Sequence, residues 1–197
     1  MGGLRVIGGD RKGLVLASPR GLALRPTSAR VREALFDILG GDVPGARFLD
    51  LFAGTGAVGI EALSRGAERC LFVEKERAVA AIVRRNLEAG GFGSRGTVLV
   101  GSLPAALTRL PRGEDFDLVF IDPPYEDPLG EEILEFLGRT AILSIHGRVV
   151  LEHSKFRKPP ESAGRLHLRR SARYGDTVLS FYGMSGREGA AGGVHGV

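Results

Sequence analysis

The chain has no tryptophan, two methionines and a single cysteine in 197 residues. One thiol excludes a disulfide framework and any cysteine-based metal site. Cys70 stands in the apolar run CLFV, where a buried, inert thiol is expected. The four histidines, His146, His153, His167 and His195, show no ligand spacing, so no metal is expected and none of them reads as catalytic. No apolar run approaches the roughly 18 uninterrupted residues of a membrane span. The opening MGGLRVIGGDRKG lacks the apolar core of a signal peptide, and Val6 stands where a myristoylation signal needs Ser or Thr. These absences lead us to expect a cytoplasmic location.

What is present fits one soluble domain with a sizeable core: 43% apolar and 25% charged residues. The net charge of +4 conceals a sharper division. Residues 1–33 carry seven basic side chains (Arg5, Arg11, Lys12, Arg20, Arg25, Arg30, Arg32) against two acids. Residues 155–173 carry seven more (Lys155, Arg157, Lys158, Arg165, Arg169, Arg170, Arg173) against one. Between them, residues 34–154 hold twelve basic and eighteen acidic residues, a balance of −6. Either flank alone reads equally well as a solvated face. Two basic flanks around an acidic middle point to a polyanionic partner.

Along the chain, LRVIGG and KGLVLASP read as a hairpin or a small sheet. RPTSARVREALFDILGG follows, with Val31, Ala34, Leu35 and Ile38 at helical spacing, Thr27 or Ser28 as N-cap, and Gly40-Gly41 as the stop. Short apolar runs at 48–52, 70–74, 97–101, 117–122 and 148–153 then alternate with helical segments near 56–66, 76–90, 102–110 and 130–143. That alternation predicts an α/β fold with a parallel sheet covered on both faces. RLHLRRSARYGDTVLSFYGM predicts a terminal hairpin around Tyr174-Gly175-Asp176, and the glycine-rich end is expected to be disordered.

Two loops carry the chemistry. After the first strand, Ala53-Gly54-Thr55-Gly56-Ala57-Val58-Gly59 satisfies G-x-G-x-x-G, which alone is weak evidence. Asp50, inside the strand, suits a ligand with an ammonium group and repels a pyrophosphate. Glu74, closing the second strand, is placed to accept both ribose hydroxyls of an adenosine. Together they favour S-adenosylmethionine over a nicotinamide cofactor, with a purely structural chain reversal as the third reading. An acid after the third strand would suit the adenine amino group; this chain has Gly101-Ser102, so that contact falls to Ser102 or to backbone.

The fourth strand ends in Asp122-Pro123-Pro124-Tyr125. Two prolines fix φ and supply no N–H, so the turn offers mainly acceptors. Such a turn suits an exocyclic amino group on a nucleobase, a poor nucleophile because its lone pair is delocalised into the ring. The Asp122 carboxylate and the Pro123 carbonyl accept its hydrogens and stabilise the positive charge that grows on nitrogen during methyl transfer. Tyr125 is the stacking platform for the base, and neither a metal nor a covalent intermediate is required. The plainer reading is a strand terminator.

DLFAGTGAVGIEALSRGA, Glu74 and DPPY resemble the class I S-adenosylmethionine-dependent methyltransferases that act on exocyclic amines. With RVIGGDRKGLVL, LRPTSARVREALFDIL and the terminal hairpin, residues 4–183 closely resemble the bacterial RsmD-type 16S rRNA guanine-N2 methyltransferases. The resemblance implies N2-methylation of one guanine in 16S rRNA, on a 30S subunit or an assembly intermediate, by a protein expected to be monomeric. It also implies a Rossmann-like, seven-stranded, mostly parallel sheet with an antiparallel last strand. Residues 1–26 would form the N-terminal β-hairpin extension, 27–183 the methyltransferase domain and 184–197 the tail. The cofactor set is then Asp50, Phe52, Gly54, Gly56, Glu74 and Ser102, with Thr27 and Arg30 near the methionine carboxylate or serving only as a cap and a solvated charge. Arg5, Arg11 and Lys12 form one expected RNA-contact set and Arg169, Arg170 and Arg173 another; Tyr174 belongs to the second set or to the core. The rivals are an adenine-N6 DNA methyltransferase, disfavoured by the N-terminal motifs, a non-catalytic rRNA assembly factor, and an NAD-dependent oxidoreductase.

Overall fold

The computed structural model describes residues 3–19, 27–111, 115–124 and 127–184. Helix α1 (Ala29–Leu39) starts where Ser28 Oγ accepts the Val31 N–H at 3.2 Å and stops at Gly40, whose φ is 49°. Ser28 is therefore the cap, and Thr27 is released for another partner. The buried stripe of α1 runs through Val31, Arg32, Leu35, Phe36 and Leu39, a slight rotation from the expected one.

The sheet is built from β1 (Arg47–Leu51), β2 (Arg69–Glu74), β3 (Gly96–Val100), β4 (Phe116–Ile121), β5 (Leu143–Ser154), β6 (Ser162–Ala163), β7 (Leu166–Tyr174) and β8 (Thr177–Met184). Its order is β3-β2-β1-β4-β5-β8-β7-β6. The first five strands are parallel; β8 runs antiparallel to β5, and β7 and β6 follow antiparallel. The resemblance implied seven strands, and the eighth is the two-residue β6 paired to β7. Strand order reverses between β1 and β4, the place where such sheets bind ligands.

Helices α2 (Ala57–Ser64), α3 (Arg77–Gly90) and α4 (Leu129–Arg139) complete the layers. The helix expected near 102–110 is only a 3-10 turn over Ala105–Arg109. Strand alternation sorts the core into two faces. Phe48, Phe72, Phe120 and Val150 pack with α1, α2 and α3. Leu49, Leu71, Val73, Ile121 and Leu151 pack on the other face, with Ile133, Leu134 and Leu137 of α4. Cys70 is buried, and burial pushes its thiol pKa up, as an inert core thiol requires.

The N-terminal segment forms a small hairpin through Val6 N–H to Leu14 O (3.0 Å), Leu16 N–H to Leu4 O (2.8 Å) and the Arg5–Val15 bridge. It packs on the first core through Val6 and Leu16 instead of extending the sheet. The rest of the expected extension, 20–26, and the tail beyond Met184 lie outside the described residues.

Candidate active site: four carboxylates at the strand ends

Counting two residues onward from Phe48, Phe72, Phe120 and Val150 reaches Asp50, Glu74, Asp122 and Glu152. Side chains alternate along a strand, so all four carboxylates leave the same face of neighbouring strands. Glu74, Asp122 and Glu152 stand at the carboxyl ends of β2, β4 and β5. Asp50 sits one pleat deeper, opposite Phe72 and Phe120. All four line one cavity of about 770 Å³, within the usual range for a small-molecule site.

The glycine loop gives this cavity its floor. Phe52 has φ 62°, the only positive value for a non-glycine among the described residues, and Gly54 and Gly56 follow at 54° and 78°. A side chain at Gly56 would be strained and would also press on Val83 at 2.9 Å. The loop thus turns tightly into α2. Asn86, from α3, donates to Thr55 O (3.0 Å) and to Ala17 O (3.1 Å) and accepts from Ala17 N (2.7 Å), tying loop, helix and hairpin together.

Each acid has a defined setting. Glu74 accepts the Gly54 N–H on one oxygen and the Glu76 N–H on the other, both at 2.9 Å, so its carboxylate is fixed while each oxygen keeps a further lone pair. Asp50 accepts the Gly59 N–H at 2.9 Å. Burial pushes its pKa well above the ordinary value; the Gly59 hydrogen bond opposes this, and Asp122 and Glu74 add to it. Thr27 Oγ1 donates to Asp122 Oδ2 at 3.3 Å, the partner that losing the cap position left open to it. The cavity lining holds seven carboxylates and one ammonium, that of Lys75. A dinucleotide pyrophosphate would be repelled there, whereas a ligand carrying cationic groups is attracted. A second hollow behind Asp122 and Pro123, about 30 Å³, has room for little more than water.

Of the residues expected at the site, Thr27, Asp50, Phe52, Gly54, Glu74, Ser102, Asp122 and Pro123 all line the cavity. Gly56 shapes the turn beneath it. Arg30, exposed on the first turn of α1, is not among the lining residues. Tyr125 lies outside the described residues. Tyr174 packs against the first core, as one of its two expected roles has it, and also lines the cavity.

The basic residues divide. Arg32 is only 1% exposed; it donates to Arg5 O at 2.5 Å and stands 3.7 Å from Glu61, so it leaves the set available to a polyanion. Arg11 donates to Gly90 O at 2.8 Å, at the carboxyl end of α3 and so at the edge of the sheet away from the crevice. A cation there complements the helix dipole. Lys12 follows it, exposed, and Arg5 donates to Gly13 O at 2.9 Å. Arg169, Arg170 and Arg173 are exposed on β7, which climbs towards the cavity; Arg169 reaches Met184 O and Arg173 reaches Gly175 O.

Two residues at the mouth are not evident from sequence motifs. Glu152 obeys the same rule as Glu74 and Asp122, an acid at the carboxyl end of an apolar parallel strand, and that signal is present in RVVLEH. Phe156 is 83% exposed, with Lys155 Nζ 4.8 Å above its ring. Only the fold shows it, because Lys155 pairs with Asp176, itself a lining residue, at 2.6 Å and so brings this loop to the rim.

The family described as "Conserved hypothetical protein 95" matches residues 4–183. The chain belongs to this family. Its members include the RsmD-type enzymes that the motifs resemble: the Escherichia coli protein named ribosomal RNA small subunit methyltransferase D is 33% identical over 181 residues, 92% of this chain and 90% of its own. YlbH of Bacillus subtilis is 35% identical over 184 residues, covering 93% of this chain and 100% of its own. The solved Escherichia coli protein YhhF superposes with a TM-score of 0.81 at 33% identity, over 93% of this chain and 98% of its own. The fold of this RsmD-family chain is that of the class I methyltransferases, and the protein is an S-adenosylmethionine-dependent methyltransferase.

Proposed function

We propose that this RsmD-family protein transfers the methyl group of S-adenosylmethionine to the exocyclic N2 amine of one guanine in 16S rRNA. The observation that carries the reading is the acceptor-only turn at Asp122-Pro123 opening into the same acidic cavity as the glycine loop and Glu74. The residues present fit the cofactor. Glu74, held by two backbone N–H groups, has lone pairs left for the ribose hydroxyls, and Asp50 and its acidic neighbours suit the ammonium and sulfonium charges. Ser102 lines the part of the cavity after β3, where the adenine contact belongs. When bound, S-adenosylmethionine supplies an electrophilic methyl group activated by its sulfonium.

The protein's own share is positioning and charge. Asp122 and the Pro123 carbonyl accept the amine hydrogens, raise electron density on nitrogen and stabilise the positive charge that develops there. Thr27 holds Asp122 in orientation. Enclosure of both reactants in one cavity contributes the alignment. Tyr125 is assigned to stacking on the base. RNA phosphates meet Arg169, Arg170 and Arg173 beside the crevice, with Arg5 and Lys12 as a second patch. The substrate is rRNA in a 30S subunit or an assembly intermediate, met in the cytoplasm by a monomer. Among the described residues no helix is long and apolar enough to cross a membrane.

Radiolabelled S-adenosylmethionine offered with 30S subunits lacking the modification, with naked 16S rRNA and with duplex DNA tests this directly. N2-methylguanosine in rRNA is the expected product. N6-methyladenosine would reject the guanine assignment, and no transfer to any acceptor would leave an assembly factor. Asp122→Ala is expected to lower turnover by at least about 100-fold while cofactor binding persists. Loss of cofactor binding with the fold intact would place Asp122 in the cofactor site and take the amine from it.

A further inference from the structure

The turn at Asp122 suits any exocyclic amine, so it does not by itself separate guanine from adenine. The neighbouring strand brings a second carboxylate to the cavity. Ile121 of β4 pairs with Leu151 of β5, so the next residues along, Asp122 and Glu152, are side-by-side at adjacent parallel strand ends. Both follow a residue of the first core, Phe120 and Val150, by two positions, and so both leave the same face. Both line the large cavity.

The end of β5 is braced. His153 donates through Nδ1 to Ser154 O at 2.9 Å, which leaves Nε2 to accept from Ser180 Oγ at 2.9 Å; Ser180 in turn meets Ser171 Oγ at 2.9 Å. Just beyond, Arg157 donates to Asp127 O at 2.8 Å and to Glu131 at 3.1 Å. These contacts fix the backbone from which Glu152 projects into the cavity.

Resting on the guanine reading above, we propose that Glu152 accepts the N1–H of the target base while Asp122 accepts a hydrogen of N2, making Glu152 the specificity-determining residue for guanine. Guanine presents N1–H and N2–H₂ as adjacent donors along one edge. Adenine presents its amine beside N1, which is an acceptor and would face the Glu152 lone pairs. Parallel strands lie about 4.8 Å apart, a spacing that lets two strand-end carboxylates meet two neighbouring donors of one base. Glu152 therefore excludes adenine from a turn that would otherwise accept it.

2-Aminopurine separates the two contacts, because it keeps the N2 amine and has no hydrogen on N1. The methylated guanine is first mapped with wild-type protein on 30S subunits. Subunits are then reconstituted with 16S rRNA carrying 2-aminopurine at that one position, and kcat/KM is measured for both substrates with wild-type protein and with Glu152→Gln. A glutamine amide can turn to donate to N1 of 2-aminopurine, so its preference for guanine is expected to fall by about 10- to 100-fold relative to wild type. Cofactor affinity, measured on the same preparations, is expected to stay unchanged and reports the fold. An unchanged preference in Glu152→Gln overturns the role of Glu152 and leaves the guanine-N2 reading standing. No guanine product from wild-type protein overturns that reading itself.

Discussion

A single carboxylate illustrates how far residue identity differs from residue state. Asp50 reads in the sequence as a partner for an ammonium group; in the fold it is a buried acid whose pKa is raised first by desolvation and then by Asp122 and Glu74. The native protein therefore keeps a proton on Asp50 at pH values where the unfolded chain has already lost it. Above the ordinary carboxyl value of 3.8, stability falls as pH rises until Asp50's own higher pKa is passed. Asp50→Asn is expected to remove that slope and to raise the melting temperature of the cofactor-free protein near neutral pH. At pH values above Asp50's raised pKa the same substitution should weaken S-adenosylmethionine binding, because the amide then replaces an ionised carboxylate. Melting curves across pH, with calorimetric titration of the cofactor, check both halves; equal slopes in wild type and variant would assign the pH dependence to another group.

At the scale of elements, the N-terminal hairpin shows why a motif can be recognised without its purpose being evident. RVIGGDRKG looks like a basic arm for RNA. In the fold its backbone is gripped by one buried acid: Glu61 of α2, 0% exposed, accepts the Ile7 and Gly8 N–H groups, each at 2.7 Å. Glu61 also pairs with Arg65 at 2.8 Å and faces Arg32. Gly9 then passes so close to the end of α2 that an added Cβ would lie 1.9 Å from Ser64 O, which accounts for a glycine at that place. The hairpin reaches from there to Asn86 and the glycine loop, so it also supports the glycine-loop side of the cavity. Removing the charge of Glu61 leaves two guanidinium groups without their shared partner. Glu61→Gln is expected to cost about 3–5 kcal/mol of folding stability, read from urea unfolding, and an effect within about 0.5 kcal/mol, the range of an ordinary surface change, would show that the hairpin docks by other contacts.

Over the whole molecule the charges segregate by depth. An acidic cavity that suits a cationic cofactor and a donor-rich base edge opens beside basic strands and loops that suit phosphates. The two ligands should then respond differently to ionic strength. RNA affinity is expected to fall linearly in log–log form, by about 10³-fold or more between 50 and 200 mM salt if six or more phosphates are met. Cofactor affinity, set inside the cavity, should change far less. Filter binding and calorimetry over that range distinguish the cases; a flat RNA response would reject the basic face as the footprint.

The order of strands and helices, the glycine loop and the Pro-Pro turn were legible because each is a local pattern: apolar periodicity, a tight turn, a fixed φ. The α/β class followed from those patterns, and so did the expectation of a cofactor at Asp50 and Glu74 and of an amine at Asp122. What local patterns could not decide is which side chains from distant strands share a face and which charges reach water. Arg32 and Arg30, two residues apart, read alike as basic residues; packing buries the first against Glu61 and leaves the second exposed. Glu152 and Asp122 are thirty positions apart and become neighbours only through the β4–β5 register. Chemistry per residue was written in the chain, but adjacency across strands is created by hydrogen-bond register and burial, and those exist only once the sheet has formed.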